Sequence, residues 1–222
     1  MRKLFHFELC PYSRKVRILL AEKGLDFELV SEKFWERRQD FSYINPAMQV
    51  PVLMESDNNV IADSYAISEY LEEQYDQKNF LGNSVEERAN VRRLISWFDH
   101  KFFNEVTAYI LNEKVIKYFT RAGEPHSEAL RASRLNLIPH LQYISFLTQD
   151  HKWLAGDRLT NADIAAAAQI SVLDYLGAIP WDGFPKAKEW YSFIKSRPSF
   201  REILKDKING FRPPNHYTNL DF

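Results

Sequence analysis

The chain has 222 residues, 45% of them hydrophobic and 27% charged, which is enough apolar surface for one large core or two small ones. Its 29 lysines and arginines against 30 aspartates and glutamates give a net charge of −1, which excludes a global basic field for holding nucleic acid or an anionic membrane. A single cysteine excludes an intrachain disulfide framework and suits a reducing compartment.

The opening MRKLFHFELC has no apolar run long enough for a secretory signal, and no later run nears the roughly 20 apolar residues of a spanning helix. A cytoplasmic protein with no membrane insertion and no nucleic-acid partner is expected. Residues 3–9 alternate apolar and polar side chains and predict a short strand. After Pro11, residues 13–23 place Val16, Ile18, Leu19, Leu20 and Ala21 at helical spacing, and Gly24 stands where a left-handed cap belongs. Residues 27–30 read as a second strand, and a charged stretch, 36–40, leads to the turn signal Asn45-Pro46. Two apolar runs, 50–55 and 60–62, flank Ser56-Asp57-Asn58-Asn59 and predict a hairpin. Ser64 then opens a helix through Ile67, Tyr70 and Leu71. The order βαβ followed by ββα is that of thioredoxin.

Beyond Gly82 the period changes to 3.6 throughout, with helices predicted over 86–112, 128–148, 162–175 and 186–196. The expected organisation is an α/β, thioredoxin-like domain over 1–80, an all-α domain over 85–210 and an extended tail over 211–222, where Pro213-Pro214 argues against helix. Thr160 with Asp163 resembles a capping box, and Leu159 against Ile164 a hydrophobic staple, starting the alanine-rich helix.

Three places could carry chemistry. Cys10 precedes the first helix, where free N–H groups and the helix dipole favour a thiolate; a small apolar filler is the bland alternative. Ser13 takes the second position of a C-x-x-C pair, so only monothiol chemistry remains. Pro51 opens the hairpin either as an edge residue or as a cis-proline beside the Cys10 helix. Asp63-Ser64 starts a helix and is either an anion-binding corner or a plain N-cap. The six histidines show no metal-ligand spacing, so no metal site is expected.

The blocks CPYSRKVR (10–17), NPAMQVPVL (45–53), DSYAISEYL (63–71) and LTNADIAAA (159–167) resemble the cytosolic glutathione transferases across nearly the whole chain. The resemblance implies the glutathione S-transferase fold, a homodimer and a glutathione pocket in the first domain. Cys10 or Ser13 would face the glutathione sulfur, with Tyr12 as the alternative some members use. Gln49, Val50 and Pro51 would hold its backbone, and Asp63 with Ser64 its γ-glutamyl end. Glutathione would then be a co-substrate, with no other cofactor required. The block departs from the family at Met48, commonly Gly, and at Gln49, often Lys or Arg.

Segments 32–38 (EKFWERR), 92–106, 171–177 and the tail GFRPPNHYTNLDF resemble a narrower group within that family, the glutathione-transferase-like proteins of bacterial cell division that bind FtsZ. That resemblance implies FtsZ filaments as the partner and little or no catalysis. It places partner contacts at Arg37, Arg38, Asn215, His216, Tyr217, Leu220, Asp221 and Phe222. A glutathione transferase or monothiol thioltransferase is the alternative, and a tail that folds back on its own domain is the alternative for the last segment.

Overall fold

The computed structural model describes residues 1–220. Strands β1 (Lys3–His6), β2 (Glu28–Ser31), β3 (Val52–Met54) and β4 (Val60–Ala62) form one sheet in the order β2-β1-β3-β4. β1 and β2 run parallel, which requires a crossover, and helix α1 (Pro11–Lys23) supplies it; the other two pairings are antiparallel. Strand alternation sends Leu4 and Leu53 to the side covered by α1 and α3 (Ser64–Gln74), and Phe5 and Val52 to the side covered by Phe41 of α2 (Gln39–Ile44). The first strand ends at His6, short of the expected Leu9, because the chain turns there and the Cys10 amide donates to Phe7 O at 2.9 Å.

Asn79 organises the link to the second domain: its carboxamide accepts from the Leu81 and Gly82 amides and donates to Gly82 O. Gly82 has φ of 128°, and a Cβ there would lie 2.7 Å from that of Glu87, so only glycine fits. The next helix, α4, runs unbroken over 85–120, eight residues past its expected end; Trp97–Thr107 and Asn112–Ile116 are π-helical. Helices α5 (Ser127–Leu147), α6 (Asn161–Tyr175), α7 (Pro185–Lys195) and the short α8 (Arg201–Leu204) complete the domain. All fifteen residues of α6 are buried, and its small side chains let α1 and α4 lie close on either side. Asp163 starts α6 as expected, accepting from the Thr160 amide and hydroxyl at 3.0 Å, and also from the Leu154 amide and Trp190 Nε1.

Between the domains, α1 carries three buried cations. Arg14 donates to Ser171 Oγ (2.9 Å), Glu8 O (2.7 Å) and the Tyr217 hydroxyl (3.2 Å); Arg17 takes both oxygens of Asp206 at 2.8 and 2.9 Å; Lys15 pairs with Asp99 of α4. Each partner except Glu8 belongs to the second domain or the tail, so the ion pairs fasten the two domains together.

Of the two readings of the tail, extended or folded back on its own domain, the described residues show the second from Asn215 on. Asn215–Thr218 forms one 3-10 turn directly after the two prolines, and Tyr217 is 0% exposed. Its ring meets that of Tyr175 edge-on at 5.1 Å, its hydroxyl donates to Ile203 O, and His216 Nε2 lies 2.9 Å from Asp174 Oδ1. A proline pair forbids an N–H-donating helix through itself, but Pro214 is a permitted entry to a turn.

Removing the carboxylate in Asp206→Ala would leave Arg17 buried without its counter-charge. An equilibrium urea denaturation should then show a loss of about 3 kcal/mol or more. His6 supplies a pH dependence: burial, helped by Arg17 and Arg14, lowers its imidazole to about 4. The unfolded chain binds that proton near pH 6.5, so the contribution is complete above 6.5 and lost as pH falls from 6.5 towards 4. The urea midpoint of the wild type should fall more steeply between pH 7 and 5 than that of His6→Gln.

Candidate functional site

An open cleft of about 820 Å³ lies between the domains. Its first-domain side is made by three connections: the β1–α1 turn with Cys10 and Tyr12, the approach to β3 with Gln49, Val50 and Pro51, and the β4–α3 corner with Asp63 and Ser64. These segments are far apart in sequence and come together because β1 and β3 are sheet neighbours and α3 starts directly after β4. The opposite wall is α4, which offers Arg92, Asp99, His100 and Phe103. The Val50-Pro51 peptide is cis.

Cys10 is at the N-cap of α1 but is 9% exposed, and its Sγ lies 3.6 Å from Val50 O, to which the thiol donates. Burial pushes the thiol above its ordinary value, although Ser13 and the amides at the start of the helix pull the other way. Desolvation therefore outweighs the helix-start effect, which favours the apolar-filler reading of Cys10 over the thiolate. Ser13 is 0% exposed; its hydroxyl accepts from the Phe7 amide at 3.4 Å, and it does not line the cleft. Of the two candidates at the first helix, Cys10 borders the cleft, whereas Ser13 turns into the β1–α1 loop.

Tyr12 does line the cleft, and its ring lies 4.9 Å from that of Phe103. Its hydroxyl has one proton to donate, and that proton goes to Asp99 O at 2.7 Å. Burial, then the neighbouring Asp99, raises the phenol further above its ordinary value. Asp63 holds φ of 78°, and one carboxylate oxygen accepts from the Tyr65 (2.7 Å) and Ala66 (3.3 Å) amides, so it caps α3 while facing the cleft. Gln49 O is taken by Asn45 Nδ2, and Met48, where glycine is usual, has φ of 53°. Arg92 on the far wall is paired with Glu69 at 2.7 Å.

Arg37 is exposed at φ of 50°, whereas the Arg38 guanidinium is committed to the buried carboxylate of Glu32. Asn215 is exposed, His216 and Leu220 are half-buried and Tyr217 is inaccessible; Asp221 and Phe222 lie outside the described residues. The α4 wall was not legible in the sequence, since a helical period marks a buried face without saying what it faces. Among the described residues no group of three or more metal-binding side chains exists, and no helix is long and apolar enough to cross a membrane.

The N-terminal domain model of the glutathione S-transferases matches residues 4–79 and the C-terminal domain model matches residues 113–198. The chain belongs to the glutathione S-transferase family. It is 47% identical to FtsZ-localized protein A of Caulobacter vibrioides over 100% of this chain and 98% of that protein. The solved structure of FzlA from C. crescentus superposes with a TM-score of 0.97 at 47% identity, covering 100% of this chain and 99% of that one. A glutathione S-transferase of Rhodospirillum rubrum F11 superposes with the same TM-score at 50% identity, with both chains fully covered. The fold class expected from the sequence is therefore correct, as is the kinship with FzlA.

With burial and a raised thiol, Cys10 should react with iodoacetamide at pH 7.5 at least about tenfold slower than an exposed cysteine. Alkylation at the rate of a free thiol would contradict the site described.

Proposed function

We propose that this chain is an FtsZ-binding, glutathione-transferase-like protein that regulates bacterial cell division, acting in the cytoplasm at the division site as a homodimer. The observation that carries this reading is the 47% identity to FtsZ-localized protein A along the entire chain, rather than over the transferase motifs alone. The site agrees with it. Catalysis in this fold requires a group at the first helix that stabilises a thiolate, and here burial pushes the Cys10 thiol above its ordinary value, Ser13 is buried away from the cleft and the Tyr12 hydroxyl donates to Asp99 O. A dimer would present two filament-binding surfaces and raise avidity for a polymer without new contacts.

A second reading is favoured by one observation: Cys10, Val50, Pro51, Asp63 and Ser64 all border the same cleft. It is an active transferase or monothiol thioltransferase with glutathione as co-substrate.

Co-sedimentation with FtsZ polymerised by GTP separates the two. The purified protein should pellet with polymer, remain in the supernatant without GTP, and pellet equally well in millimolar glutathione. Failure to pellet, with glutathione-dependent conjugation that falls in Cys10→Ala, would establish the transferase reading instead. Deleting residues 215–222 is an unsuitable probe, because it also removes the buried Tyr217 ring.

A further inference from the structure

Two of the segments that lie outside the transferase motifs meet at the end of α4. The Trp35 ring stacks on Phe119 at 5.3 Å, Phe119 lies 6.0 Å from Phe211, and Phe211 meets Tyr118 edge-on at 5.1 Å. The 32–38 loop, the α4 terminus and the start of the tail thus form one surface built on a run of four rings. Tyr118 stays 56% exposed at its edge.

Three arginines lie next to these rings along the chain: Arg37 is two residues from Trp35, Arg121 two from Phe119, and Arg212 adjoins Phe211. All three are exposed, and none has a side-chain hydrogen bond or ion pair among the described residues. The neighbouring cations are different: Arg38 is paired with Glu32, Lys33 with Glu36 and Lys117 with Glu113. Glu32, Glu36 and Glu113 are thus matched by other cations, and the three arginines are left without an ion-pair partner among the described residues. Arg37 and Arg121 also sit in left-handed backbone, at φ of 50° and 54°, where an L side chain costs about 1 kcal/mol relative to glycine. Local conformation alone would favour glycine at both places.

We propose that this face docks an acidic, extended segment of a protein partner. Its carboxylates pair with Arg37, Arg121 and Arg212, and an apolar side chain of the segment lies against the Tyr118 ring. Guanidinium groups suit carboxylates through paired N–H donors, and an exposed aromatic beside them gives the apolar anchor that charged rims alone lack. Glu36, Asp40 and Glu124 alternate with the arginines in sequence, which suits separate carboxylates that meet individual guanidinium groups better than the regularly repeated charge of a phosphate backbone. The inference rests on the reading of this chain as a partner-binding protein, and adds to it the charge and form of what is bound.

The test is a fluorescence-anisotropy titration with a labelled peptide of about eight residues, Asp and Glu throughout with one central Phe. Parallel titrations use its Lys counterpart and a single-stranded oligonucleotide of similar length. The acidic peptide should bind, weaken as salt rises from about 50 to 200 mM, and lose about tenfold or more in affinity in the triple variant Arg37→Glu, Arg121→Glu, Arg212→Glu. A second variant, Tyr118→Ala, should weaken it at every salt concentration. All four positions are exposed, and an unchanged thermal midpoint would verify that the variants are folded. No binding of the acidic peptide, equal binding by the triple variant, or tighter binding of the oligonucleotide would each overturn the proposal. Peptide binding that persists while the wild type fails to pellet with FtsZ would sink the filament reading and leave this surface standing.

Discussion

Helix α1 is enclosed by the sheet on one side and by the second domain on the other, yet its sequence includes Arg14, Lys15 and Arg17, all at most 3% exposed. A buried cation without a partner costs several kcal/mol, so the two domains can meet only in the arrangement that supplies Ser171, Asp206, Asp99 and Tyr217 at the right places. The domain angle, the start of the tail turn and the approach of α4 all follow from that requirement. The all-buried, alanine-rich α6 makes the contact possible by keeping the backbones close.

The same enclosure limits what the cleft can do. Cys10 and Tyr12 stand at the start of α1, and the contacts that seat the helix take their polar groups. The thiol turns to Val50 O, and the phenol turns to Asp99 O, on the residue whose carboxylate also holds Lys15. The Tyr12 bond joins the two domains, whereas the Cys10 bond lies within the first. Asp63 shows the same economy, since one carboxylate oxygen caps α3 through two amides.

Away from the cleft, the aromatic run from Trp35 to Tyr118 ties the first domain to the far end of α4 and to the chain that follows α8. It is a second fastening between the domains, apolar where the first is ionic. Among the described residues, Arg37, Arg121 and Arg212 near it have no side-chain partner, whereas the buried Arg14 and Arg17 are both bonded.

Most of the architecture was legible in the sequence. The period-2 and period-3.6 runs, the Asx-rich hairpin turn, Gly24, the change of period beyond Gly82 and the Thr160–Asp163 pair are local signals, and local backbone preferences act over a few residues wherever the chain is read. The boundaries shifted where a tertiary contact intervened: at His6, where the chain turns under α1, and at residue 120, where π-helical turns carry α4 past its expected end. The state of Cys10 was not legible. Helix-start electrostatics argues for a thiolate and burial argues against one, and only the packed structure shows that burial is larger. The tail likewise reads as polar and proline-broken, but Tyr217 finds Arg14, Tyr175 and Ile203 far away in sequence. Sequence by itself determined the elements, their order and the family, because these rest on short-range pattern. Tertiary structure decided which polar groups are consumed and which remain free, because desolvation and pairing depend on neighbours that the chain brings together only on folding.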